Sequence, residues 1–370
     1  MKTIVIIGCG FAGLNAVQRL TNHKSGLGIT VIDKNPYFNF LPALPDVIGR
    51  NIHPDYLRYP IKHLSQKLKF NFIEEETRSI DLEKNKVFTS TQDFRYDYLV
   101  IASGTETNFY GNSEIRQCAY KLDDAEDASL IRDALDKNDF DYYIISGAGY
   151  TGIEIATNLR AYLNKKSKDK PIVIVEKAAG ILGPLPDWIK NYTRDNLKRL
   201  NIRVLLNSSI VKAEKDKVIL SNQNTLNNAL LIWTAGVKTP DFVQNLSVDK
   251  TPQGRLKVDR YLRVRDNCFA AGDSASFTYN SSFLRMAVQF AITQGALVGS
   301  NIIRSIQGMN LEPYQPRDLG YIIPMANSKS CGQVLGIKIT GRLPTFFHYV
   351  MCLYRSFGMR NKFGIIKDLL

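Results

Sequence analysis

Cysteine is scarce and scattered in this chain, with five among 370 residues at Cys9, Cys118, Cys268, Cys331 and Cys352. No two form a CxxC pair and none falls into a metal-ligand spacing. This excludes a disulfide-stapled scaffold and a zinc ribbon, and no metal site is expected. A reducing, cytoplasmic compartment fits such usage. Long apolar runs are missing as well. The longest near the C-terminus, Phe346 to Tyr354, is nine residues, against the roughly 20 that a spanning helix needs. The N-terminus opens on a strand-like run from Lys2 to Ile7 without the parts of a signal peptide, so no export is expected. Acid is in deficit, with 35 Asp and Glu against 48 Lys and Arg, a net charge of +13. Such a surface attracts nucleotide phosphates, nucleic acid or an anionic membrane. With no RNA or DNA motif and no long basic run, nucleic acid is not an expected partner.

What the chain does have is an internal repeat of strand, glycine turn, helix, strand and acid. The first copy reads TIVII (Thr3 to Ile7), then GCGFAG (Gly8 to Gly13), a helix to about Leu20, and ITVID ending at Asp33. The second reads YYII (Tyr142 to Ile145), then GAGYTG (Gly147 to Gly152), a helix to about Leu163, and IVIVE ending at Glu176. In each copy the first glycine permits a tight turn, the second lets backbone approach a pyrophosphate, and the third lets helix pack on strand. The phosphates then face unpaired N–H groups at the positive end of a helix. The closing acid accepts hydrogen bonds from ribose hydroxyls. Two copies in full context predict two dinucleotide sites.

Between the copies, YDYLVIASG (Tyr96 to Gly104) reads as a strand ending where a chain can leave one domain. LLIWTAGV (Leu230 to Val237) reads as the return, and NCFAAGDSA (Asn267 to Ala275) as a short buried strand ending at Gly272 and Asp273, before a helix from Arg285 to Ile303. The expected fold is α/β, with two Rossmann-like domains. A flavin domain is formed by 1–108 and 241–320, a nicotinamide domain of 109–240 is inserted in it, and 321–370 form a short C-terminal amphipathic helical segment.

The order GCGFAG, YDYLVIASG, GAGYTGIE, LIWTAGV and CFAAGDSA resembles the pyridine nucleotide and FAD-dependent reductases over nearly the whole chain. Within them it is most similar to the type II NADH:quinone oxidoreductases, through WTAGV (Trp233 to Val237), Glu154 directly after the second loop, the Gln289 helix, and the ending with His348, Gly358, Arg360, Asn361 and Lys362. The resemblance implies FAD on Gly8, Gly10, Phe11, Ala12, Gly13, Asp33 and Lys34, with Pro42 from the FNFLPALP loop, Ala102, Ser103, Gly104, Gly272, Asp273 and Val288. It implies NADH on Gly147, Gly149, Tyr150, Thr151, Gly152, Glu176, Ala235 and Gly236. Glu176 suggests NADH over NADPH, because a carboxylate repels a 2′-phosphate. Glu154 is expected near the nicotinamide and flavin. Gln289 and Thr293 are expected at the quinone, although the family's second glutamine is Thr293 here. The implied activity is hydride transfer from NADH to FAD, then two-electron reduction of a quinone without proton pumping.

From Lys338 to Leu370, six Lys or Arg face one acid, interleaved with Phe346, Phe347, Val350, Leu353, Tyr354 and Phe357 at helical spacing. An apolar face with basic flanks suits an interfacial helix on an anionic membrane; core packing or a dimer contact is the alternative for the tail, and the chain is expected to form a homodimer. The localisation expected is cytoplasmic, peripheral to the inner membrane face. Two other functions stand as alternatives: a sulfide:quinone oxidoreductase using Cys118 and Cys331, and an apoptosis-inducing-factor-like flavoprotein with a binding role.

Overall fold

In a computed structural model, residues 1–23 and 26–369 are described; Lys24, Ser25 and Leu370, the last residue of the expected tail, lie outside them. The chain divides into two compact units. The first comprises Met1–Phe38, Pro60–Glu106 and Val237–Asp318, and the second Asn39–Tyr59, Thr107–Gly236 and Leu319–Leu370.

The first unit is built on a six-stranded sheet in the order Arg263–Arg265, Cys268–Ala270, Tyr98–Ile101, Thr3–Ile7, Gly28–Asp33, Asn71–Glu74. All pairings are parallel except that of Arg263–Arg265. Continuous apolar runs such as TIVII are what a parallel sheet covered on both faces requires. The first loop helix, Phe11–Thr21, packs against the long helix Val288–Ile306. The contact is close because Gly295 stands at the crossing, where a Cβ would lie 2.0 Å from the Ala12 carbonyl oxygen. A turn further along, Gly299 permits the same approach, at 2.9 Å from the Ala16 oxygen.

The second unit carries a four-stranded parallel sheet in the order Ile202–Leu205, Ile172–Val175, Tyr142–Ser146, Ala229–Trp233. Its loop helix, Tyr150–Lys165, is crossed by a short helix, Leu44–Gly49. Glycine again sets the approach: a Cβ on Gly49 would lie 2.4 Å from the Asn158 carbonyl oxygen. The C-terminal segment is more than a helical tail. A three-stranded antiparallel sheet, Gly320–Ile323, Ser330–Val334 and Ile337–Gly341, precedes two helices, Arg342–Arg355 and Met359–Leu369. Both helices are anchored within their unit. Thr345 shares a hydrogen bond with Ser330 at 2.6 Å, Asn361 donates to the Arg58 carbonyl at 2.9 Å, and Asp368 accepts from the His53 N–H at 2.8 Å.

Candidate functional site: two glycine loops and a carboxylate pocket

The two glycine loops repeat one another atom for atom in their key contacts. Gly8 and Gly147 have φ of +96° and +102°, where side chains are strained. A Cβ on Gly13 would sit 1.9 Å from the Gly8 oxygen, and one on Gly152 2.0 Å from the Gly147 oxygen. At Gly10 and Gly149 a Cβ would meet no described atom within 4 Å, so these peptides face an open mouth at a helix N-terminus. Asp33 accepts from the Cys9 N–H at 2.7 Å and the Asn35 N–H at 2.9 Å. Glu176 accepts from the Ala148 N–H at 2.7 Å and the Ala178 N–H at 2.8 Å. Each acid thus clamps the loop between its first two glycines and keeps lone pairs for a further donor. Burial pushes the Asp33 carboxyl up, opposed by those N–H bonds and by the exposed Lys34. This chemistry fits two dinucleotides.

Around the first loop the structure gathers most of the residues expected for FAD. A Cβ on Gly8 would strike the Ala102 oxygen at 2.4 Å, and one on Gly272 would press on Ala12 at 3.0 Å. Ser274 accepts from the Gly104 N–H at 2.8 Å and lies 3.2 Å from the Ser103 hydroxyl. Phe11 stands edge-on to Phe38. Asp273 lies in a tight turn, Gly272–Ser274, and does not cap the helix that follows, whose N-cap is Ala287, directly before Val288. Burial raises the Asp273 carboxyl while Arg255 opposes the shift. Arg255 also donates to the Asp273 and Ala275 carbonyls, and Gln294 accepts from the Gly272 N–H at 2.7 Å. Arg255 and Gln294 carry no sequence motif for these roles, and Ser274, although inside CFAAGDSA, is not singled out by it; their partners are set by the fold. Gln289 and Thr293 are held by their own unit. Gln289 donates to Asp318 at 3.0 Å, and Thr293 pairs with the Tyr314 hydroxyl at 2.8 Å. Pro42 falls in the second unit, in the turn Leu41–Ala43.

At the second loop, Thr234 donates to the Ser146 carbonyl at 2.7 Å, and Ala235 lies 3.2 Å from where a Cβ on Gly147 would be. Gly236 has φ +85°, and its missing Cβ makes room for the Tyr110 hydroxyl. Thr151 is exposed, and Tyr150 meets Tyr321 edge-on.

Glu154, one turn into the second loop helix, lines a pocket with Pro45, Asp46, Asn158, Pro324, Met325, Ala326 and Tyr349. By surface area Glu154 is only half-buried. Protein nonetheless surrounds it at the longer range over which charge is felt, so desolvation, reinforced by Asp46, pushes its carboxyl well up. These outweigh the helix N-terminus, which would favour the anion. Sequence reading missed Asp46. Its one visible signal is an acid inside the apolar run LPALPDVIG.

On the outer face of the C-terminal helices, Phe346 is 63% exposed, Tyr354 77%, Met359 64% and Phe363 62%. No helix among the described residues is long and apolar enough to cross a membrane. All five cysteines are free, and burial raises the Cys331 thiol, the opposite of a reactive thiolate. No group of side chains suited to a metal ion occurs among the described residues.

Two glycine loops, each closed by a clamping acid on a parallel sheet, define a two-dinucleotide oxidoreductase. The chain belongs to the pyridine nucleotide-disulphide oxidoreductase family, whose model matches residues 2–295. It is 27% identical to the type II NADH:quinone oxidoreductase of Staphylococcus haemolyticus and 26% identical to that of Staphylococcus aureus, each over 95% of this chain and 94% of the relative. Among solved structures it is similar to NDH2 of Plasmodium falciparum in complex with NADH (TM-score 0.87, 20% identity, 100% and 97% coverage). It also resembles the sulfide:quinone oxidoreductase of Aquifex aeolicus (TM-score 0.79, 22% identity, 98% and 92% coverage).

Proposed function

We propose that this protein is an FAD-dependent NADH:quinone oxidoreductase that works at an anionic membrane surface. The observation that carries the reading is the doubled clamp, Asp33 on one loop and Glu176 on the other, which supplies one ribose-binding acid for each of two dinucleotides. The relatives' names and their end-to-end coverage support the choice of NADH and quinone. FAD, held by Gly8 to Gly13, Asp33, Ala102 to Gly104, Gly272 and Asp273, supplies the capacity to accept a hydride and give up two electrons.

The chain's own residues bind, orient and hold protons. The glycine loops offer N–H groups to pyrophosphates, and Asp33 and Glu176 offer their free lone pairs to ribose hydroxyls. The charge of Glu176 disfavours a 2′-phosphate. Reduction of a quinone by NADH takes up one proton from the medium, and Glu154, whose carboxyl is pushed well up by burial and then by Asp46, is placed to hold one in the pocket wall. Gln289 and Thr293 mark the quinone end in this reading. The exposed aromatic face of the C-terminal helices, with Arg360, Lys362 and Lys367 beside it, supports contact with the membrane from which a lipid-soluble acceptor comes.

The test is anaerobic reduction by NADH or NADPH, followed by reoxidation with menaquinone, ubiquinone, a ferric salt or a disulfide in turn. Flavin bleaching by NADH in preference to NADPH, with fast reoxidation by a quinone, is the expected outcome. Reoxidation by the disulfide alone, or reduction by sulfide in place of NADH, overturns it.

A further inference from the structure

Asp46 is a buried acid, 6% exposed, placed where the short helix Leu44–Gly49 crosses the second loop helix. It shares the pocket of Glu154. A buried carboxylate is retained only with partners, and Asp46 has three. Tyr349 donates its hydroxyl at 3.0 Å, Arg50 forms an ion pair at 3.5 Å, and the Asn158 amide leans on the same carboxyl. Arg50 is held in turn by the Ala326 carbonyl at 2.9 Å and lies over the Tyr349 ring. Among the described residues the Glu154 carboxyl has no such hydrogen bond or ion pair. The Asn158 side chain donates to the Glu154 backbone carbonyl at 3.0 Å, and its oxygen lies against Gly49 of the short helix.

We propose that Asp46 is a positioning residue that keeps a proton on Glu154: the pair holds one proton between them, with the charge fixed on Asp46 by Tyr349 and Arg50 and the proton left on Glu154. The asymmetry of partners decides which member ionises, since like charges sharing a site cannot both do so cheaply. Burial pushes Asp46 up to about 6 against its three partners, whereas nothing opposes the burial and then the Asp46 charge that push Glu154 well up. The other groups facing the pair do not change this order. From the helix Arg342–Arg355, burial and then Arg50 bring His348 down to about 4, so it is neutral, and burial keeps the Cys352 thiol protonated. Arg355 lies beside Cys352. Arg132 and Lys165 cap carbonyls at the far end of the short helix, at Ile48 and Gly49, and Asp55 on the neighbouring turn is paired with Arg58. The strand end at Pro324 to Ala326 brings no titrating side chain.

This inference deepens the function proposed above by naming what sets the charge of Glu154, and its test is independent of turnover. In the flavin-loaded enzyme, the infrared carbonyl stretch of protonated carboxylic acids is titrated with pH, and the Glu154 band is identified by its loss in Glu154→Gln. Asp46→Asn removes the like charge, so the Glu154 midpoint moves to lower pH. Tyr349→Phe weakens the hold on the Asp46 charge, so the midpoint moves the same way by less. The alkaline limb of the kcat profile with a quinone follows both. An unmoved midpoint in Tyr349→Phe or Asp46→Asn, or a wild-type enzyme with no Glu154 band at neutral pH, overturns the assignment. Failure of quinone to reoxidise the enzyme leaves the band titration readable, so the two readings fail separately.

Discussion

The first and second glycine loops share every backbone device and diverge at the fifth residue of the helix that follows. In the first helix that residue is Asn15, whose amide turns back to the Phe11 carbonyl at 2.8 Å and satisfies the helix itself. In the second it is Glu154, which faces a pocket holding another acid. The crossing helices differ in parallel. Val288–Ile306 lays two glycines on the first loop helix, while Leu44–Gly49 brings one glycine and Asp46 to the second. In the proposed reading a common nucleotide cradle leaves the fifth position of one loop helix uncharged and gives the other a carboxyl pushed well up by burial. On that proposal, binding belongs to the repeated elements, and control of protons to the position that departs from the repeat.

The largest way to break this symmetry is to add one methyl group to either loop. Gly13→Ala and Gly152→Ala place a Cβ about 2 Å from a backbone oxygen, which cannot retreat as a side-chain end can. Overpacking of this kind costs at least about 1–3 kcal/mol. Gly13→Ala is expected to yield protein without flavin absorbance. Gly152→Ala should keep its flavin and lose reduction by NADH, read by absorbance under anaerobic titration. If both variants lose flavin alike, the two loops do not serve separate nucleotides.

A smaller effect sharpens the difference at the fifth position. Glu154→Gln preserves shape and removes the titratable proton, so flavin content should be unchanged while turnover falls on the order of 10²-fold, the lower range for general acid–base groups. Asn15→Asp, the converse change, should leave turnover near wild type, because the native side chain there serves only its own helix through the Phe11 carbonyl. Stopped-flow traces of flavin reduction and reoxidation locate the loss. An unchanged rate in Glu154→Gln would return that carboxyl to a helix-start role.

How much of this the sequence displayed follows from distance along the chain. The loops were legible because their glycines lie within six residues, each tied to a local requirement of φ or close approach. The clamping acids were legible because strand, turn and helix fix their spacing. Gly295 and Gly299 were not, since the helix they press on lies about 280 residues earlier. Asp46 was hidden for the same reason: its hydroxyl donor, Tyr349, is 303 residues away. The C-terminal segment was read for its outer, apolar and basic face, of which the structure leaves Phe346, Phe347, Val350 and Tyr354 exposed and Leu353, Arg355 and Phe357 half-buried. Its inner face, carrying Thr345, Tyr349 and Asn361, forms the wall of the unit and has no periodic signature of its own.

That inner face decides how the smallest effect has to be measured. Deleting everything after Gly341 would remove Tyr349 and expose Asp46, so a truncated enzyme would fail for reasons unrelated to a membrane. Substitutions confined to the outer face avoid this. Phe346→Ser, Tyr354→Ser and Phe363→Ser together remove three rings that are each more than half exposed. Arg360→Gln, Lys362→Gln and Lys367→Gln together remove charge without touching the core. Arg355 is left out because it is largely enclosed beside Cys352, where burial lowers its pKa. Binding to anionic vesicles should weaken in both sets, by about 1 kcal/mol for each basic residue removed. Added salt should abolish the difference made by the basic set and leave that made by the rings, because screening acts on charge and not on apolar area. Reduction of a short-chain, water-soluble quinone should be unaffected in both. Should the ring variant instead bind vesicles normally and fall from dimer to monomer, the face joins two copies of the chain, and the lipid-soluble acceptor must reach the enzyme by another surface.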